Sequence, residues 1–158
     1  MAERDYDAIV VGAGPAGSCA ATVLARAGRS VLLLERGPFA GSKNMYGGVV
    51  YPRILDGLHP RWWEEAPVQR WVTRRSTMVL TDRQALTVDY RTEAWGEAPY
   101  NGATAYRPDW DAWLAGRSVR TPSTRGPSRS SPVTVVEQTS RAPSASARPA
   151  SQASQSGR

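Results

Sequence analysis

Ala8-Ile-Val-Val-Gly-Ala-Gly-Pro-Ala-Gly17 is the stretch of this 158-residue chain whose reading decides the fold. Ala8–Val11 is a short β-branched run without polar alternation, the pattern of a parallel strand covered on both faces. It passes directly into a Gly-x-Gly-x-x-Gly turn. Apolar or small residues then recur at Ala16, Ala20, Val23, Leu24 and Ala27, which is helical spacing with one buried stripe. Gly28 stands where a helix C-terminus favours a residue free to adopt positive φ. A second unbroken apolar run, Val31-Leu-Leu-Leu34, ends at Glu35. Strand, turn, helix and strand thus fit between Asp7 and Glu35, the span of a βαβ unit with a right-handed crossover.

The three glycines have separate tasks in such a unit. Gly12 permits a tight turn, Gly14 lets the backbone approach a pyrophosphate with no Cβ in the way, and Gly17 lets the helix pack closely on the strands. Backbone N–H groups at the helix N-terminus then face the phosphates, aided by the helix dipole. Glu35, 18 residues past Gly17, is placed to accept hydrogen bonds from ribose hydroxyls and would repel a 2′-phosphate, which argues against NADP. A lone glycine motif is weak evidence. Here it follows a buried strand, opens a helix and precedes a second strand ending in an acid, so a merely structural glycine turn is the lesser reading.

Beyond Glu35 the signals become sparser. Arg36 to Pro60 holds five Gly and three Pro and reads mostly as loop, with a short helix around Arg53–Leu58. Val68–Tyr90 reads as strands, with a hairpin formed by Thr77–Leu80 and Ala85–Tyr90 around the polar turn Thr81–Gln84. Pro108 opens a further helix with Asp109 and Asp111 in its positive first turn, and Trp110, Trp113 and Leu114 form its apolar face. From Ser118 to Arg158 there is no Leu, Ile, Met, Phe, Tyr, Trp or Cys. That segment buries too little apolar surface to offset its ordering entropy, so disorder is expected, with Val133-Thr-Val-Val136 the one candidate strand. The division predicted is 1–117 for the domain and 118–158 for a Ser/Pro/Arg/Ala-rich tail.

Charge follows the same division. Six arginines against Glu137 give the tail +5, which leaves residues 1–117 at only +1 of the total +6. No aromatic accompanies the tail arginines to stack on bases, so nucleic acid is not the expected partner. Cys19 is the single cysteine, which rules out an internal disulfide, and its place in the first helix suggests a small packed residue. Met1–Asp7 carries three acids, the wrong start for a signal peptide, and no apolar run is long enough to span a bilayer. A cytoplasmic protein is expected, with contact at the inner face of the cell membrane left open.

Val10-Val-Gly-Ala-Gly-Pro-Ala-Gly17 with Leu33-Leu-Glu-Arg-Gly37 resembles the opening of FAD-dependent oxidoreductases of the glutathione-reductase-like superfamily. The loop Gly41-Ser-Lys-Asn-Met-Tyr-Gly-Gly48 narrows the resemblance to the FixC-like and electron-transfer-flavoprotein:quinone oxidoreductase family. Tyr106-Arg-Pro-Asp-Trp-Asp-Ala-Trp-Leu114 is similar to that family's later helix, with Trp110 where Phe is usual. Geranylgeranyl reductases are a related branch. The resemblance runs from Tyr6 to Arg117, is most specific up to Gly48, and is thinner between Leu58 and Tyr100.

It implies FAD as the cofactor and an α/β fold, an incomplete Rossmann-type FAD-binding domain with a β-hairpin insertion. It places Gly12, Ala13, Gly14, Pro15, Ala16 and Gly17 at the pyrophosphate, Glu35 at the ribose and Arg36 along the adenosine. Ser42, Lys43 and Asn44 would approach the flavin, and Arg107 the ribityl or phosphate region. From the residues alone, Arg107 is equally a surface ion pair, and Lys43, the only lysine, is equally a solvated loop residue. Trp62-Trp63 reads as core, and His59, the only histidine, as an ordinary loop residue with no metal site around it. The family function implied is electron transfer between an electron-transfer flavoprotein and quinone or a ferredoxin-like acceptor.

Family members are much longer, and the later strands, a second glycine–aspartate motif and the substrate domain have no counterpart in these residues. Tail composition of this kind is what an out-of-frame reading of GC-rich DNA produces, so homology is expected to stop near Arg117. Three readings stay open: an oxidoreductase by descent, a non-catalytic nucleotide-binding fragment, and a protein acting through its basic tail. No catalytic constellation is visible in the chain.

Overall fold

The computed structural model describes residues 5–121 and 133–137. The βαβ unit forms as read. Strand β1 (Ala8–Val11) leads through the glycine turn into helix α1 (Pro15–Arg26), and strand β2 (Val31–Glu35) returns parallel to β1, with Ala8 beside Val31 and Val11 beside Leu34. Gly28 ends α1 at φ +76°, as a helix terminus of this kind requires.

Glu35 is followed by a loop and then by strand β3 (Gly47–Val50), a 3-10 helix at Pro52–Gly57 and a shorter one at Trp62–Glu64. Strand β4 (Val68–Trp71) precedes the hairpin β5 (Arg74–Leu80) and β6 (Ala85–Arg91). Strand β7 (Ala103–Tyr106) then leads into helix α2 (Arg107–Val119), and strand β8 spans Val133–Glu137. Three sheets result: parallel β1-β2-β8, antiparallel β3-β7-β4, and the two-stranded ribbon β5-β6.

The first core lies between the parallel sheet and the two helices. Val31, Leu33 and Val133 are buried against Ala21 and Ala25 of α1 and Ala115 of α2, with Val10 packed alongside. The helix residues at this layer are small, which lets both helices lie close to the strands. Thr22 and Ser118 are buried there too, and each donates its hydroxyl hydrogen to a carbonyl of its own helix, Ser18 O at 2.9 Å and Ala115 O at 2.7 Å. The second core is aromatic. Trp62 is buried at its centre, edge-on to Trp63, Trp71 and Trp110 with ring centroids 5.8–6.1 Å apart, and its Nε1 donates to Asp56 at 2.8 Å.

The structure departs from the sequence reading at β1, at Gly47–Val50 and at the end of α2. Ile9 and Val11 are exposed, because both helices pack on the opposite face of β1 and no described residue covers this one. Gly47–Val50 is a strand and not loop: paired glycines carry little strand propensity, and this strand exists through its register against β7. Helix α2 runs past Arg117 to Val119, and Ser118 and Thr121 are buried. Val133–Glu137 forms the strand its composition allowed, pairing parallel with β2 from Val31↔Val133 to Glu35↔Glu137. The rest of the expected tail, 122–132 and 138–158, lies outside the described residues. No described helix is long and apolar enough to cross a membrane.

The aromatic core should dominate stability. Trp62→Ala removes the ring that three other tryptophans pack upon, and a loss of about 3–5 kcal/mol is expected in urea unfolding, with little change in slope.

Candidate functional site

The glycine turn is built by contacts no other residue type allows. Gly12 takes φ +98°, and its N–H donates to Leu34 O at 2.7 Å, tying the turn to the end of β2. A Cβ at position 17 would sit 1.8 Å from Gly12 O, so α1 can start where it does only with glycine there. A Cβ at Gly14 would meet nothing within 4 Å, which leaves open space beside the start of the helix. Gly14 caps α1 in an extended conformation with no side-chain hydrogen bond, and Pro15 is the first helical residue. The first N–H groups of a helix have no carbonyl partner within it, so those of Ala16 and Gly17 are available to an anion. Behind the turn, Ser18 donates its hydroxyl hydrogen to Ala13 O at 3.0 Å and fixes the carbonyl's direction.

Glu35 is bound into the same assembly. One carboxylate oxygen accepts from Ala13 N–H at 2.9 Å, the other from Gly37 N–H at 2.7 Å. Burial by itself would raise its pKa. The N–H groups of Gly37 and Ala13, the charge of Lys43 and the N–H of Arg36 outweigh it and hold the group below its ordinary 4.5. The carboxylate at the end of β2 is therefore ionised at neutral pH and oriented by the turn it serves. Arg36 itself is exposed. Ser42 is packed against Gly37, with its Oγ buried and without a hydrogen-bond partner.

A second group forms where the loop after β2 meets α2. Gly41, at φ +88°, approaches so closely that a Cβ would fall 2.8 Å from Pro108 O and 2.9 Å from Asp111 Cβ. Asn44 Nδ2 donates to Asp111 Oδ2 at 2.7 Å, and Arg107 donates to both Asp111 oxygens, at 2.9 and 3.1 Å. Asp111 is buried and Arg107 about one-third exposed, so the carboxylate lies inside and the guanidinium reaches outward. The Asp111 hydrogen bond pushes the Arg107 pKa up. Arg107 N–H also donates to Tyr46 O at 3.0 Å, which closes the loop onto the helix.

A cavity of about 360 Å³ opens beside the start of the two helices. Pro15, Ala16 and Cys19 of α1 form one wall, Arg107, Trp110 and Leu114 of α2 another, and residues 50–55 complete it. Of the residues expected at a cofactor, Gly12–Gly17, Glu35 and Lys43 thus gather at the turn. Arg107 lines the cavity from α2 together with Pro15 and Ala16, whereas Gly12, Ala13, Gly14, Gly17, Glu35, Arg36, Ser42, Lys43 and Asn44 do not. Cys19 does line it, half buried, and burial raises its thiol pKa. The residue that sequence reasoning undervalued is Asp111, taken only as a favourable charge in a first helical turn. Its spacing four residues after Arg107 was the available signal.

Comparison with known proteins shows the family. The family model described as FAD dependent oxidoreductase matches residues 7–120. Protein FixC of Salmonella typhi is 43% identical over 114 residues, covering 72% of this chain and 27% of that protein. The probable electron transfer flavoprotein-quinone oxidoreductase YdiS of Escherichia coli is 46% identical over the same length and shares. The chain thus spans about 27% of the length of these curated relatives. Among solved structures, a geranylgeranyl bacteriochlorophyll reductase-like protein from Thermoplasma acidophilum superposes with TM-score 0.60 at 23% identity, over 84% of this chain and 30% of that one. The myxobacterial halogenase CndH superposes with TM-score 0.53 at 26% identity, over 84% and 28%.

Two substitutions test the turn. Gly17→Ala forces apart α1 and Gly12 O and should cost at least about 1–3 kcal/mol in chemical denaturation. Glu35→Gln should destabilise at neutral pH. Because the folded-state pKa lies below the unfolded value, this contribution is full above about 4.5 and is lost as pH falls through the lower folded value. The stabilities of wild type and Glu35→Gln, measured by denaturation at each pH, should therefore converge in acid.

Proposed function

The chain belongs to the FAD dependent oxidoreductase family, and we propose that its βαβ unit holds the adenosine-diphosphate half of FAD in an electron-transferring flavoprotein. The observation that carries this reading is the open space at Gly14, set beside uncapped N–H groups of α1 and the ionised, oriented carboxylate of Glu35. A pyrophosphate fits such a place because its charge meets the positive end of the helix without a Cβ in the way.

On this reading Gly12, Ala13, Gly14, Pro15, Ala16 and Gly17 hold the pyrophosphate and Glu35 accepts from ribose hydroxyls. Arg36 lies along the adenosine. Arg107, kept charged and aimed by Asp111, faces the cofactor from the far wall of the cavity. Ser42, Lys43 and Asn44 stand on the loop that approaches the flavin ring, and the Asn44–Asp111 bond sets how that loop lies. The flavin, when bound, supplies the redox chemistry, and the protein orients it and tunes its electronics. The residues of this chain contribute charge complementarity, a dry apolar wall from Trp110 and Leu114, and a fixed backbone.

We further infer that the protein passes electrons between an electron-transfer flavoprotein and a quinone at a membrane surface or a ferredoxin-like protein. Support comes from the 46% and 43% identity to YdiS and FixC, well above the 23% to the geranylgeranyl reductase-like structure, whose likeness is one of fold.

Gel filtration of the full chain with FAD, followed by the visible flavin spectrum, tests the cofactor assignment. Flavin should elute with the protein, and Gly14→Val, which fills the open space, should weaken binding at least about tenfold. A folded chain that elutes colourless, or a Gly14→Val variant that binds equally well, would overturn the proposal.

A further inference from the structure

The ribbon β5–β6 carries five large apolar side chains in its outer half, next to the turn: Met78, Val79, Leu80, Leu86 and Val88. Each is 61–67% exposed. Single exposed apolar residues are ordinary, but a contiguous group marks an interaction surface. The register gives its arrangement. Val79 stands opposite Leu86 and Thr77 opposite Val88, on one face. Met78 stands opposite Thr87 and Leu80 opposite Ala85, on the other. Strands that pack on protein alternate, apolar towards the core and polar towards water. Here three consecutive residues, Met78 to Leu80, are apolar, and polarity changes along the ribbon instead of across it.

The inner half differs in kind. Arg74, Arg75 and Arg91 stand there, and Arg74 and Ser76 both donate to Asp89. Tyr90, opposite Arg75, lies against Trp95 with ring centroids 4.9 Å apart. From the turn inwards the order is thus apolar, then aromatic and cationic. A bilayer presents the matching order from acyl chains to headgroups, where Tyr, Trp and Arg side chains are favoured. Residues 74–91 hold four arginines against two aspartates, a positive balance.

We propose that this ribbon docks the chain on an anionic lipid bilayer, its outer half entering the boundary between acyl chains and headgroups. A protein partner covers one face of a ribbon, whereas acyl chains surround both. The arginines complement the anionic headgroups. Insertion is shallow, because the ribbon is only roughly 20 Å long and its turn carries Asp82 and Arg83. The outer edges of two paired strands also present backbone groups that hydrocarbon cannot satisfy. The inference deepens the reading of a quinone acceptor at a membrane surface and rests on that reading for its purpose alone. It is tested without flavin or quinone, so the two fail separately.

Flotation of the full chain with phosphatidylcholine vesicles, with and without one quarter phosphatidylglycerol, measures the contact. Stronger binding to the anionic vesicles is expected, with a part that survives high salt because burial of apolar side chains is not screened. The double variant Leu80→Ser/Leu86→Ser changes two exposed positions and should keep the fold, checked by near-ultraviolet circular dichroism of the tryptophans. It should lower the partition coefficient at least about tenfold. Arg75→Gln should lower it about fivefold on the anionic vesicles. Both variants retain the basic tail, so binding that persists in Leu80→Ser/Leu86→Ser belongs to the tail and overturns the proposal. Equal binding to neutral and anionic vesicles, no binding to either, or no effect of Arg75→Gln would overturn it too. So would a dimer in sedimentation equilibrium without vesicles that Leu80→Ser/Leu86→Ser dissolves, since a second copy would then cover the ribbon.

Discussion

The contact between Gly17 and the carbonyl of Gly12 governs the rest of this fold. It brings the first turn of α1 onto the end of β1, and from that position the helix lies flat enough on the sheet for Ala21 and Ala25 to reach Val31 and Leu33. Small residues continue the theme where α1 meets α2, through Thr22, Ala115 and Ser118. A bulky side chain anywhere in this layer would lift a helix from the strands and open the turn. On the proposed reading, packing and anion recognition impose one geometric requirement, met by the same glycines.

Glu35 and Asp111 solve a related problem in different ways. Each is a carboxylate fixed by hydrogen bonds from more than one segment. Glu35 joins the glycine turn to the backbone just after β2, and Asp111 joins the loop at Asn44 to the start of α2 through Arg107. The first is partly open and available to a ligand. The second is buried and acts on the site only by holding other residues still. Between them, the glycine turn, the loop after β2 and the start of α2 are held in one arrangement.

The sequence disclosed those parts of the molecule that local chemistry determines. The βαβ unit, the hairpin and the start of α2 were legible because glycine spacing, β-branched runs, a polar turn and an N-terminal proline each act within a few residues. Strands Gly47–Val50 and Ala103–Tyr106 were not, since neither has a strand-like composition and both take their hydrogen bonds from partners distant in sequence, the second from Val68–Trp71 as well as from the first. The exposure of Ile9 and Val11 was equally hidden, because an apolar run reads the same whether one face or two are covered. At the site, the glycines and Glu35 could be read from spacing alone. The Asp111 clamp could not, for it joins residues 67 apart.

The β5–β6 ribbon stands apart from all of this. Its side chains are exposed on both faces, and within the described residues it adds nothing to either core. A two-stranded ribbon gains little stability of its own, and regions with few buried contacts open and close independently of the remainder. Among the described residues, 74–91 are therefore where substitution, insertion and change of length are least constrained by the two cores. Evolution can reshape that projection while the glycine turn stays as it is.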